Sequence, residues 1–436
     1  MLELTYPFTL ALFWILACGV VFLPVRWALF CLILAAHVSV IEPGFWATES
    51  VSWSNAVEGL ALPTVLLFRI TRFRMPGVKW AFSAEVWMAL VIYATVSIIW
   101  SPYKLSGLKM VAYLLGWFVW FLVMDFAWQR GVLDGYLVIA ALWAAVMLAC
   151  FQTYLLGDPE EAETLQFTSF TAAAPFATFL LSCLAFLLFQ RYKSGLRLPS
   201  IIACLAGVIL TADRTALIGL GFLVIVWFLH WRGAMGKGSG FRLTPIVPVL
   251  LVFVVVFLGF RAVMAQAAPD SRLNELLQLG TRQVSSVEEI GTAAGRLELY
   301  ERTWSELSGR SPRELLFGSG TSSGGDLASQ WEKDLETGLD PNRTVHNELL
   351  RAVYEWGLIG LTMAMALLGL LIWESWRGAI REGLTPAFAI LALIPTILAL
   401  LLTGNPLAGP GSAAGVGLLL ILTYGLSRRT PGVRAA

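Results

Sequence analysis

The chain has 436 residues, of which 58% are hydrophobic and only 14% charged, a balance that excludes an ordinary water-soluble domain and identifies a polytopic membrane protein. A formal net charge of +1 supplies no basic field, so nucleic acid is not an expected partner. Cys18, Cys31, Cys150, Cys183 and Cys204 sit singly in apolar runs with no CxxC or Cys/His ligand spacing, which makes them packing residues.

The first 23 residues lack the basic n-region of a cleavable signal and are expected to stay as a membrane segment. Runs long enough to span fall at about 6–23, 25–41, 56–70, 84–100, 108–127, 133–155, 169–190, 245–263, 347–374, 385–403 and 411–427. A further apolar stretch between Pro199 and His230 is interrupted by Asp213 and Arg214. As one helix it would be ~45 Å long, beyond a ~30 Å hydrocarbon core, with an arginine near the centre. Two passes of about 11 and 16 residues fit better, and the turn between them would lie below the average membrane surface.

Charge placement supports that division. Arg191, Lys193 and Arg197 precede the pair and Arg232, Lys237 and Arg242 follow it, so both flanks belong on the cytoplasmic side. Carrying the parity along the chain places Arg69, Arg72, Arg74, Lys79, Arg130, Arg377, Arg381, Arg428, Arg429 and Arg434 on that side too. The C-terminus is then cytoplasmic, and the expected total is about 12 or 13 spans, with the first two runs, hinged at Pro24, the open point. The organisation is a transmembrane helix bundle over 1–263, a polar outer loop domain over 264–345, and C-terminal transmembrane helices over 346–436.

In the outer segment, Leu297, Tyr300, Trp304 and Leu307 follow helical spacing with Glu298, Glu301 and Arg302 opposite, the pattern of an amphipathic helix. Ser311, Pro312 and Glu314 form a capping-box start with proline at the first helical position. Gly318, Gly320, Gly324 and Gly325 follow and suggest a flexible turn region. Two to four short helices on the outer face are expected here.

The stretch Thr344 to Gly360, TVHNELLRAVYEWGLIG, joins this segment to an apolar helix. At ~100° per residue His346 and Gly357 share a face and Gly360 lies near it, which predicts a groove able to hold a lipid chain or a neighbouring helix. His346 at a helix N-terminus has two readings. It is a structural, hydrogen-bonded imidazole, or a neutral base able to take a proton from a sugar hydroxyl. Asn347 could orient the ring or the acceptor, and Arg351 with Glu355 has the spacing of an i,i+4 pair. Arg214, at the outer turn, is either satisfied by Asp213 or a carbonyl, or clamps phosphate, whose oxygens match its fork. Arg296 is a candidate second clamp. Arg261 and Arg343, at outer boundaries, are weaker candidates that also fit interfacial anchors. No HExxH, DxD or EF-hand spacing occurs in the outer segments, so no metal site and no cofactor is expected.

Together these residues carry a family resemblance. H-N-x9-G-x-x-G at His346, Asn347, Gly357 and Gly360 resembles the signature of bacterial O-antigen ligases, within the O-antigen ligase and polymerase superfamily. Arg214 after a short apolar run, GR(x)7W at Arg296 to Trp304, and GSG at Gly318 to Gly320 follow that superfamily's order over roughly Ile201 to Leu371. The ligase R-x3-L element departs, since Leu217 follows Arg214 after two residues. The resemblance implies an all-α, C-type glycosyltransferase-like fold in the bacterial inner membrane with a periplasmic active site. It implies transfer of a glycan from undecaprenyl diphosphate to the lipid A core, or to a nascent glycan in a polymerase. His346 would be the general base, and Arg214 and Arg296 would hold the diphosphate. A transporter, also polytopic, should instead show intramembrane charges lining a path.

Overall fold

The computed structural model describes residues 2–38, 56–72, 81–152, 173–189, 195–211, 213–235, 293–324, 347–382, 384–403 and 412–427. Every regular element among them is helical. In chain order the helices are α1 (Leu2–Phe22), α2 (Val25–Ala35), α3 (Leu62–Arg72, preceded by a π-helical turn Val57–Ala61), α4 (Phe82–Ser97), α5 (Lys104–Gln129), α6 (Gly135–Phe151), α7 (Ala173–Phe189), α8 (Arg197–Leu210) and α9 (Arg214–Met235). After them come α10 (Ala293–Ser308), α11 (Pro312–Phe317), α12 (Glu348–Glu382), α13 (Leu384–Thr403) and α14 (Ala413–Ser427). Among the described residues, three stretches, Phe82–Trp100, Lys104–Gln129 and Glu348–Ile380, are long and apolar enough to cross a bilayer on their own. The span expected at 245–263 lies outside the described residues.

Each of the other apolar runs contains a helix, and the stretch from 199 to 230 divides into two, α8 and α9. Asp213 explains the restart, because its carboxylate accepts from the Ala216 amide at 2.8 Å and so satisfies a donor that the first turn leaves open. The division stands, but the lengths do not match the expectation. The helices have 14 and 22 residues, because α8 extends back to Arg197 and α9 runs on past His230.

α5 is the centre of the bundle, with Trp120, Phe121, Val123 and Met124 wholly buried. Close crossings around it rest on small residues, which let backbones approach where apolar side chains would hold them apart. A Cβ on Gly415 of α14 would enter the Trp117 indole of α5, and Gly425 of α14 abuts the Ser375 backbone of α12. Beside that crossing the Ser375 hydroxyl donates to the Leu422 carbonyl at 2.6 Å.

Contacts fix the helix directions. α4 and α12 are antiparallel, since Tyr93 meets Trp356 while the Phe82 and Ser83 amides meet Glu374. α9 and α13 are also antiparallel, with Gly219 against Thr396 and the His230 ring 4.8 Å from Phe388. At the end remote from α10 and α11, Arg26 pairs with Asp134 at 2.8 Å and Arg69 caps the Val20 and Leu23 carbonyls closing α1. Arg130 follows α5 directly, Arg197 donates to the Leu187 carbonyl closing α7, and Arg377 lies over Trp373. The arginines bordering these helices therefore gather at one end, and the polar helices α10 and α11 occupy the other.

Glu374 is the cap that α4 lacks locally. Its two carboxylate oxygens accept from the Phe82 and Ser83 amides at 3.2 and 3.3 Å, satisfying orphan donors across a helix interface. Glu374→Ala is expected to destabilise the protein by about 1–2 kcal/mol, read as a lower unfolding temperature in detergent.

Candidate functional site

The site is built where α12 begins. Asn347 is its N-cap, with Oδ1 accepting from the Leu349 and Leu350 amides at 3.1 and 3.0 Å, and it is 7% exposed. Its carboxamide oxygen is thus committed to the helix rather than free to orient a neighbouring ring, and it fixes the backbone that immediately follows position 346.

α12 would be ~52 Å long if straight, but it breaks at Gly357, which has φ 64° and ψ −168°. That conformation is open essentially to glycine alone. The glycine also permits contact: a Cβ on Gly357 would fall on the Leu316 carbonyl, and a Cβ on Gly318 (φ 71°) would fall on the Glu355 carbonyl. Two backbones therefore touch through two glycines at positive φ. The expected groove is already filled, by residues 316–318 at Gly357 and by the Tyr93 ring, 3.3 Å from where a Gly360 Cβ would sit. The single-face projection fails past Gly357 because the helical phase is lost at the break.

The glycine segment after α11 is pinned rather than flexible. Ser319 and Gly320 amides donate to the Tyr354 and Glu355 carbonyls at 3.0 and 2.8 Å, carbonyls freed by the break in α12. The Ser322 amide donates to the Glu355 carboxylate at 2.8 Å, and the Thr321 hydroxyl contacts Ser97, the Ala94 carbonyl and the Trp356 indole N–H. Gly320 has φ 98° and lies against the Ser101 backbone. Gly325 lies outside the described residues.

Charges under this segment pair differently from the i,i+4 expectation. Arg351, 2% exposed, forms its ion pair with Glu348 at 2.7 Å, while the Glu355 carboxylate is taken by the Ser322 amide. The Arg351 charge and the Ser322 amide both act on the Glu355 carboxylate.

α10 forms as expected, burying one face and leaving part of its apolar side open. Leu299, Thr303 and Leu307 are buried, whereas Leu297 is 45% and Trp304 66% exposed. The Tyr300 hydroxyl donates to the Leu402 carbonyl at the end of α13 at 2.9 Å. The capping box at the start of α11 forms as expected, Ser311 and Glu314 exchanging bonds of 3.3 and 3.0 Å, and the bonds from Ser311 hold the Glu314 carboxyl below its ordinary value. Sequence reasoning missed a cluster joining α10 to α12. The Arg310 guanidinium lies 3.7 Å from the centre of the Tyr354 ring and donates to its carbonyl at 2.9 Å. The Tyr354 hydroxyl donates to Glu306 at 2.6 Å. Only the Glu306–Arg310 spacing, a 3.4 Å pair, was legible locally.

The candidate residues fall as follows. Arg214 opens α9 and Arg296 lies in the first turn of α10. From Gly219 opposite Thr396, five residues of rise bring the start of α9 level with Leu401. Leu402 in turn bonds Tyr300, one turn after Arg296. The backbones of both arginines thus come to the end of the bundle that carries α11 and the α12 cap. Asn347, Gly357 and Gly360 belong to α12 as described. Arg261, Arg343 and His346 lie outside the described residues.

Residues 199–365 match the family model described as O-Antigen ligase. The matched region takes in α8 to α11 and the broken first part of α12, the elements that build this end of the bundle. No curated protein gives a significant match.

Proposed function

From the premise that the chain belongs to the O-antigen ligase and polymerase superfamily, as its match over residues 199–365 supports, we propose that it transfers a glycan from undecaprenyl diphosphate to the lipid A core. The fold would be C-type glycosyltransferase-like with about 12 or 13 spans. The end with the gathered arginines would face the cytoplasm, with the C-terminus, and the α10–α11 end the periplasm. The observation that carries this reading is the meeting, at one end of the bundle, of elements that the matched region draws from distant parts of the chain.

In this mechanism His346 takes the proton from the acceptor hydroxyl as that oxygen bonds to the anomeric carbon. The bond from that carbon to the diphosphate oxygen breaks, and the diphosphate leaves with the electron pair. Arg214 and Arg296 hold the leaving group through charge-assisted hydrogen bonds, with Arg261 and Arg343 as further ligands. One displacement inverts the anomeric carbon. Asn347 keeps the α12 entrance in register beside the base, Gly357 lets the glycine segment pack against α12, and Gly360 lets Tyr93 of α4 approach it.

The test offers purified protein both undecaprenyl-diphosphate-linked glycan and lipid A core. Transfer to the lipid A core is expected. Growth of the lipid-linked chain with no transfer to lipid A would instead establish the polymerase, the reading that the two-residue spacing from Arg214 to Leu217 favours.

A further inference from the structure

α4 fixes the depth of α11. Its apolar stretch Phe82–Trp100 has 19 residues, about 28 Å of helix, so all of it is needed to cross a hydrocarbon core of ~30 Å. Tyr93 comes seven residues before the outer end of that stretch, which places it roughly 10 Å below that end. The Tyr93 hydroxyl bonds the Trp356 carbonyl at 2.9 Å and lies 3.3 Å from the Phe317 carbonyl. Aromatic side chains lean towards the N-terminus of their helix, here the inner end of α4, so the ring does not lift this contact outward. The last turn of α11 is therefore joined to α4 about two turns inside the edge of the hydrocarbon.

Exposure follows this depth. Ile92, Val96 and Ile99 recur once per turn as the uncovered stripe of α4, and Tyr93 borders that stripe. Leu358, just past Trp356 on α12, is exposed as well, and so are Leu316 and Phe317, at 45% and 43%. Phe317 thus continues, across Tyr93, an apolar surface that two membrane helices already turn outward. On the helical wheel Arg313 lies between Leu316 and Phe317, and it too is exposed. Its long stem lets the guanidinium reach the headgroups while the two apolar side chains stay among acyl chains. Glu314, on the adjoining face, borders instead the open polar crevice between α10, α11 and α12.

We propose that α11 is inserted into the leaflet at its end of the bundle and holds a phospholipid, with an acyl chain on Leu316 and Phe317 and the headgroup phosphate on Arg313. One cation set between apolar side chains matches a phosphate joined to acyl chains. The segment whose polar composition places it outside the membrane is then anchored into the membrane at this turn. The contact stands apart from the transfer chemistry and rests on the membrane reading alone.

The test places the photoreactive amino acid benzoylphenylalanine at Phe317 in the full-length protein, an exchange of one aromatic side chain for another. The protein is irradiated in nanodiscs of phosphatidylethanolamine and phosphatidylglycerol with a trace of undecaprenyl phosphate, and adducts are identified by mass spectrometry. Phospholipid adducts are expected, at a yield within about twofold of the same probe at Ile92 on the α4 stripe. The yield should be about fivefold or more above that of the probe at Ser305, which shares the polar face of α10 with Glu301 and Arg302. Arg313→Glu should lower the yield at position 317 about threefold or more, because it repels the phosphate. A yield no higher than at Ser305 overturns the proposal, as does an adduct on another part of this chain, on a second copy, or on undecaprenyl phosphate alone. An unchanged yield in Arg313→Glu overturns the phosphate contact. Absence of glycan transfer would leave the lipid contact standing, and absence of lipid adducts would leave the transferase reading standing.

Discussion

Gly357→Ala is expected to destabilise the protein by about 3 kcal/mol or more, combining backbone strain with a steric clash. At φ 64° and ψ −168° an alanine is forced out of any conformation it populates. Its Cβ would also fall on the Leu316 carbonyl. Relief would require residues 316–318 to move away, and that movement breaks the bonds from the Ser319 and Gly320 amides to the Tyr354 and Glu355 carbonyls. The damage should spread to the start of α12, so transfer should fail together with folding. Gly369→Ala is the matched control. It lies in the same helix with nothing within 4 Å of a built Cβ, and alanine there should be neutral or stabilising by up to about 1 kcal/mol. Thermal unfolding of both variants in detergent decides the matter. An unchanged midpoint for Gly357→Ala would show that the glycine contact between α11 and α12 is dispensable.

The second large effect is on chemistry. Arg214→Lys keeps the positive charge and loses the planar fork that meets two phosphate oxygens at once. If Arg214 stabilises the departing diphosphate, the transfer rate should fall by roughly 10²-fold or more, the scale of losing one preorganised donor to developing charge. His346→Ala should lower the rate by about 10²- to 10⁴-fold through loss of the base. The double variant should be little worse than the weaker single one, because both groups serve one transition state. Initial rates with undecaprenyl-diphosphate-linked glycan, alongside unchanged unfolding temperatures, test all three. Ordinary turnover by Arg214→Lys removes the clamp, and full activity in His346→Ala points to transport or a scaffold role.

Several features of this end were legible because they depend on neighbours along the chain. The Ser311–Glu314 capping box and the division between α8 and α9 follow from residues within one turn of each other. Which face α10 buries depends on its partners instead. Leu307 is buried against Tyr354 of α12, and Leu299 and Thr303 are buried too, while Leu297 and Trp304 of the same helix stay exposed. Arg351 has Glu355 at helical spacing yet makes its close ion pair with Glu348, while the Ser322 amide, some thirty residues earlier in the chain, donates to the Glu355 carboxylate.

By itself the sequence determined a helical membrane protein, the positions of the apolar helices that the structure describes, and the stretch that matches the O-antigen ligase family model. Those properties are set by composition, period and spacing, which are local. Only the tertiary structure decided that Gly318 and Gly357 are two halves of one contact, that the glycine segment is rigid, and that a polar cavity opens between α10, α11 and α12. Each depends on backbones about forty residues apart approaching to van der Waals distance, and no pattern along the chain encodes which distant surface a glycine will touch.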